Sequence, residues 1–151
     1  MRIEKSGIKY RVTKEVIDEI LSYFESFAYE SGGAIGIKDN IILMFYPLDN
    51  ESNIGKEFLP SIISLNKAVG FFAKHGADFI GIIHSHSTSK FGSGSNYPSN
   101  GDIQFYKNFI KENKQFDKLV FPIIAWKNNQ KEIAWYILEK NELYSLDIII
   151  N

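Results

Sequence analysis

The chain contains no cysteine. That excludes a disulfide framework and any thiolate metal site, so a bound metal would have to be held by histidine and carboxylate side chains. Histidine is itself scarce, at three in 151 residues. No apolar run reaches the roughly 18 residues that a membrane-spanning helix needs. The first residues, Met-Arg-Ile-Glu-Lys-Ser-Gly, alternate charge and lack the apolar centre of a signal peptide, so the cytoplasm is the expected location. An excess of one charge is missing as well: 17 basic residues face 18 acidic ones, for a net charge of −1. A nucleic-acid partner calls for a basic face, so none is expected, and neither is a membrane partner.

What is present is apolar and aromatic. Hydrophobic residues make up 44% of the chain and aromatics 15%, which favours a packed globule over a disordered chain. At this length a single domain over 1–151 is expected, with one sizeable core.

Periodicity places the elements. Residues 8–12 read as a short strand, and Thr13 as the N-cap of a helix running to about Phe27, with Val16, Ile20, Phe24 and Phe27 as its apolar stripe. Residues 29–37 lead into a strand that turns at Asp39-Asn40 and returns over 41–46. A second helix is expected from Pro60 or Ser61 to His75, turning Ile62, Leu65, Val69 and Phe72 inward and closing at His75-Gly76. A polar, Gly- and Ser-rich loop over 87–101 precedes a third helix that starts near Asp102, with Ser99 or Asn100 as its cap. That helix is expected to bury Ile103, Tyr106 and Phe109 or Ile110, and strands over 119–126, 133–138 and 143–150 follow. Helices alternating with strands, then a strand-rich end, predict an α/β (α+β mixed) domain: a central mixed β-sheet flanked by helices.

Two of the three histidines are crowded onto the end of an apolar strand, Gly81-Ile-Ile-His-Ser-His-Ser87. At positions i and i+2 of a strand, His84 and His86 leave the same face and Ser85 leaves the other. Downstream, Asp102 stands in the first turn of the third helix, where the helix dipole favours a carboxylate. Two imidazoles and one carboxylate form the three-ligand set of a catalytic zinc, with a fourth position open for chemistry. His75, in the last turn of the second helix, reads as a structural residue.

Further residues complete a pattern. Glu30 precedes Ser31-Gly-Gly-Ala-Ile-Gly36, and Ser99-Asn-Gly-Asp102 follows His84-Ser-His86. In this order the set resembles the JAMM, or MPN-plus, zinc metalloproteases in their small prokaryotic JAB-type form, by motif over about residues 29–106. The chain departs from that family in carrying Ser87 where a proline is usual, and in the fifteen residues between His86 and Asp102, a longer spacing than the family's. The resemblance implies the JAB/MPN fold, which is similar to cytidine deaminase. It implies zinc held by His84, His86 and Asp102, with Glu30 as general base and then acid, and Ser99 as oxyanion donor. It implies an isopeptidase of the deubiquitinase kind acting on the C-terminal tail of ubiquitin, or of a ubiquitin-like or sulfur-carrier protein. E1-like and E2-like proteins are the implied partners, in bacterial conjugation or phage-defence systems. Phe91 and Tyr97, in the loop beside the site, are candidates either to cover the tail or to anchor the loop.

Three rivals stand beside this reading. A metal-dependent phosphoesterase shares the local His-Ser-His-Ser pattern but needs more histidines than His75 can supply. A DNA-repair-associated relative of the same fold finds no support in the near-neutral charge. An MPN scaffold that binds partner proteins without catalysis would be expected to have lost ligands.

Overall fold

The computed structural model describes residues 3–27, 29–52, 58–88 and 95–151. Among them are nine strands and three helices: β1 (Glu4–Val12), α1 (Lys14–Tyr23), β2 (Gly32–Lys38), β3 (Ile41–Leu48), α2 (Ile62–Lys74), β4 (Asp78–Ser85), α3 (Asn100–Glu112), β5 (Lys118–Val120), β6 (Ile123–Lys127), β7 (Gln130–Ala134), β8 (Tyr136–Glu139) and β9 (Glu142–Ile150). No helix among these residues is long and apolar enough to cross a membrane.

The tight turns follow from local chemistry. Asp39-Asn40, Asn128-Asn129 and Lys140-Asn141 all take positive φ at both positions, the geometry of two-residue hairpins that match strand twist. Thr13 caps α1 by accepting from the Val16 N–H at 3.2 Å. The helix ends at Tyr23 rather than near Phe27, yet Phe24 and Phe27 remain buried beyond it.

The strands close on themselves, and this overturns the expected central sheet flanked by helices, the deaminase-like JAB/MPN arrangement. β2 pairs antiparallel with both β3 and β4, so β2-β3-β1-β9-β8-β5-β4 form a closed seven-stranded mixed barrel. β6 and β7 extend from β4 as a side hairpin. The physical reason is visible in β2, whose residues Gly32 to Gly36 are all buried, so both of its edges need partners inside the protein. Closure removes the exposed edges that a flat sheet would leave.

One apolar cluster takes a residue from every barrel strand (Tyr10, Ile35, Ile42, Ile83, Val120, Ile137 and Leu146 among them) and joins the α1 stripe. It fills the barrel. The opposite parity, with Ala34, Ile82, Leu119 and Leu138, faces outward beneath α2 and α3 with Phe72 and Tyr106. His84 has this outward parity.

Two expected strands are each broken. Residues 119–126 divide at Phe121-Pro122, where proline has no N–H for a ladder. The first part stays in the barrel with β8, while the second pairs with the end of β4, His84 opposite Ile123. Residues 133–138 likewise divide at Trp135. In α2 the expected inward face holds for Phe72, which is fully buried, and for Leu65, which packs against the core, but Ile62 is 72% exposed and Val69 is also exposed, while Ser64 and Ala68 are buried instead. Small residues let the helix lie close to the sheet, where a Cβ on Gly36 would stand 3.0 Å from the Phe72 ring.

Candidate metal centre

The C-terminal end of β4 is gripped on both sides. β2 pairs along one edge and β6 along the other, and the His86 N–H donates to the Ile124 carbonyl at 3.1 Å. Ser85 points away from the histidines. Its Oγ accepts from the Ser31 N–H at 2.9 Å, and its own N–H donates to the Ser31 carbonyl at 2.8 Å. This clamp fixes the segment carrying Glu30 against the end of β4, which carries His84 and leads into His86. Asn50 adds a second tie, donating from Nδ2 to the Glu30 carbonyl at 3.0 Å.

α3 delivers the carboxylate. Ser99 and Asp102 form a capping box: Ser99 Oγ accepts from the Asp102 N–H at 3.0 Å, and the Ser99 N–H donates to Asp102 Oδ2 at 2.9 Å. The same Oδ2 lies 3.0 Å from His86 Nε2, and Oδ1 lies 3.4 Å from His84 Nε2. His84, His86 and Asp102 thus each offer a ligand atom within 4.8 Å of the others, a set that could hold a metal ion.

Two details of hydrogen bonding fit that role. The far nitrogen of each ring is engaged: His86 Nδ1 sits 2.6 Å from the Ser95 carbonyl, and His84 Nδ1 sits 2.9 Å from the Tyr106 hydroxyl. Outer partners of this kind orient ligating imidazoles and fix their tautomers. In addition, His84 Nε2 is fully buried and makes no well-formed hydrogen bond among the described residues, its contact with Asp102 Oδ1 being a long 3.4 Å. A buried nitrogen so weakly partnered is costly unless something else engages it, and a metal ion would do so.

The charges are arranged to match. Burial pushes the Asp102 carboxyl up, but the hydrogen bonds and charge of both imidazoles, with the Ser99 N–H, hold it well below the usual carboxylate range. Burial pushes His84 down and outweighs its carboxylate neighbour. At His86 burial also pushes down, but Asp102, the Ser95 carbonyl and the charge of Glu30 together raise it.

These groups line a cleft of about 530 Å³, together with Glu30, Phe58, Leu59, Ser99 and Phe105. Phe58 stacks parallel to the His84 ring, 6.4 Å between centroids, and the bare backbone of Gly32 leaves room for it: a Cβ there would stand 2.6 Å from the Phe58 ring. The cap uses Ser99 Oγ only as an acceptor, so its O–H can still donate into the cleft. The structure therefore brings all five sequence-selected residues to one cleft. Tyr97 does not line it and packs instead near Tyr136, 6.4 Å between rings; Phe91 lies outside the described residues. Sequence reasoning missed Tyr106 and Phe58 as neighbours of His84. For Tyr106 a signal existed, since four residues after Asp102 it shares that residue's helix face. Phe58 offered none, because it follows the polar stretch that separates β3 from α2.

No protein-family model matches the sequence, and no curated protein matches it. Solved structures do. The chain is similar to a protein from Desulfitobacterium hafniense determined in solution, with a TM-score of 0.72 and 19% identity, over 95% of this chain and 93% of that one. It is also similar to the crystal structure of a JAB1/MPN domain protein from Archaeoglobus fulgidus, with a TM-score of 0.53 and 13% identity, over 96% of this chain and 100% of that one. At such identities the likeness is one of fold, and it supports a distant MPN-like fold.

Proposed function

We propose that the protein is a zinc-dependent isopeptidase or peptidase that cleaves after the C-terminal tail of ubiquitin, or of a ubiquitin-like or sulfur-carrier protein. The observation that carries this reading is the convergence of His84, His86 and Asp102 in a cleft that Glu30 and Ser99 also line. Two imidazoles and a carboxylate with an open fourth position are the catalytic zinc pattern. Zinc held by these residues supplies Lewis acidity at neutral pH.

The chain's own residues do the rest. Glu30 takes a proton from the attacking water as its oxygen adds to the carbonyl carbon of the scissile amide. The same carboxyl then passes that proton to the nitrogen as the C–N bond breaks, leaving an amine and a carboxylic acid, which loses its own proton to solvent at neutral pH. Ser99 donates to the carbonyl oxygen as it gains negative charge. Phe58, Leu59 and Phe105 add apolar surface to the cleft, and a tail whose last residues are glycines would bring no side chains to crowd them. Conjugates of a ubiquitin-like protein are the substrates this reading implies, and the E1-like and E2-like proteins that make them are its partners, in the cytoplasm.

The test combines metal content with cleavage of a ubiquitin-like fusion. Wild type is expected to carry about one zinc per chain. Glu30→Gln should keep the zinc and lose cleavage, whereas His84→Ala should lose most of the metal and the activity together. Full activity in either variant would rule the mechanism out. A wild type that takes up no zinc would leave an MPN-like scaffold that binds partner proteins.

A further inference from the structure

Tyr106 has no part in the proton transfers above, yet it is fully buried against the metal triad. Its ring stacks on Phe121 at 4.5 Å and meets Phe105 edge-on at 5.2 Å, so it is held from two sides. Its hydroxyl ends 2.9 Å from His84 Nδ1. Asp102 and Tyr106 are one turn apart on α3, so a single helix face supplies one ligand and braces another that belongs to β4.

We propose that Tyr106 is the positioning residue of His84, and that its hydroxyl holds the ring in place whichever nitrogen carries the proton. The inference rests on the metal reading of the triad. The contrast with His86 makes the case. Its Nδ1 faces the Ser95 carbonyl, which can only accept, so that nitrogen must carry a proton whether or not Nε2 carries one toward Asp102 Oδ2, 3.0 Å away. A hydroxyl both donates and accepts. When His84 binds a metal through Nε2, Nδ1–H donates to the Tyr106 oxygen. When Nε2 carries the proton toward Asp102 Oδ1, 3.4 Å away, the Tyr106 O–H donates to Nδ1 instead. A buried imidazole with only an acceptor behind it would be satisfied in the first state alone. Tyr106 therefore keeps His84 oriented with and without metal, and makes the triad one locked imidazole beside one switchable one.

The experiment is imidazole ¹⁵N NMR on full-length protein, chelator-treated and then titrated with zinc, alongside zinc affinities by chelator competition. In wild type the His84 proton should move from Nε2 to Nδ1 as zinc binds, while His86 keeps its proton on Nδ1 throughout. Tyr106→Phe retains the ring stack and should bind zinc about 10- to 100-fold more weakly, the usual effect of losing an outer partner. Phe121→Leu disturbs the same stack but keeps the hydroxyl, and should bind with near wild-type affinity. The inference fails if His84 shows one tautomer in both states, if Tyr106→Phe binds zinc as tightly as wild type, or if Phe121→Leu weakens binding as much as Tyr106→Phe. A wild type that binds no zinc sinks the metal reading itself, and the inference with it; the other failures leave that reading standing.

Discussion

His84 and His86 are separated by one residue, share a carboxylate, and respond to protons in opposite directions. The folded His86 holds its proton more tightly than the unfolded side chain, so its pairing with Asp102 contributes stability that is full below about 6.5 and is lost as pH rises through the raised folded value. His84 has a lowered folded value. Its burial as a neutral ring contributes stability above 6.5 that is lost as pH falls through that lowered value. Asp102 has its folded value depressed below 3.8, so it stays ionised across this range, and its contribution is lost progressively as pH falls below about 3.8 toward the folded value. Protein stripped of metal should therefore be most stable near about pH 6.5 and melt at lower temperature on either side. Zinc needs both rings neutral, so zinc-loaded protein should instead lose metal steadily as pH falls through the same range. Thermal denaturation across pH with and without chelator checks this; parallel profiles in the two forms would contradict it.

At the scale of elements, α3 is the part on which the site depends. Its capping box sets where the helix starts, and through that start it sets the position of Asp102 against both imidazoles. Ser99→Ala should lower stability by about 1 kcal/mol from loss of the cap. The same change should slow cleavage by about 10²- to 10³-fold, if the Ser99 hydroxyl also donates to the developing oxyanion. Denaturant titration reads the first effect and turnover of the folded fraction the second, while zinc affinity by chelator competition, unchanged if Asp102 keeps its place, separates a lost donor from a displaced ligand. This corner was legible in the sequence because Ser-x-x-Asp is a local pattern whose hydrogen bonds span three residues. The burial of α2 was legible only for Leu65 and Phe72. Its apolar positions at 62, 65, 69 and 72 predict one face, but the sheet lies so close that small Ser64 and Ala68 turn inward and Ile62 turns out.

For the whole molecule, closure of the barrel depends on how closely β4 and β5 approach. Gly81 pairs with Val120, and a Cβ on Gly81 would fall 1.7 Å from the Val120 carbonyl oxygen. That atom is backbone and cannot swing aside, so the strands would have to part. Gly81→Ala should cost at least about 3 kcal/mol, the upper part of the range for overpacking. It should also weaken zinc binding, because His84 lies in β4 three residues further on and His86 just past its end. Calorimetry of the purified variant reads the first effect and chelator competition the second; a melting temperature equal to wild type would refute the account of closure.

The sequence by itself determined what depends on near neighbours. Strand alternation placed His84 and His86 on one face and Ser85 on the other, positive-φ residues marked the hairpin at Asp39-Asn40, and Thr13 and Ser99 marked helix starts. Tertiary structure alone decided that β2 would pair on both edges and close seven strands into a barrel, since strand partners are chosen across long stretches of chain. It alone broke 119–126 at Pro122, because the two halves serve different neighbours. It alone set the Tyr106 hydroxyl behind His84, twenty-two residues away along the chain. Local hydrogen bonds and periodicity are written in adjacent residues, whereas packing between distant segments depends on shapes that no single segment carries.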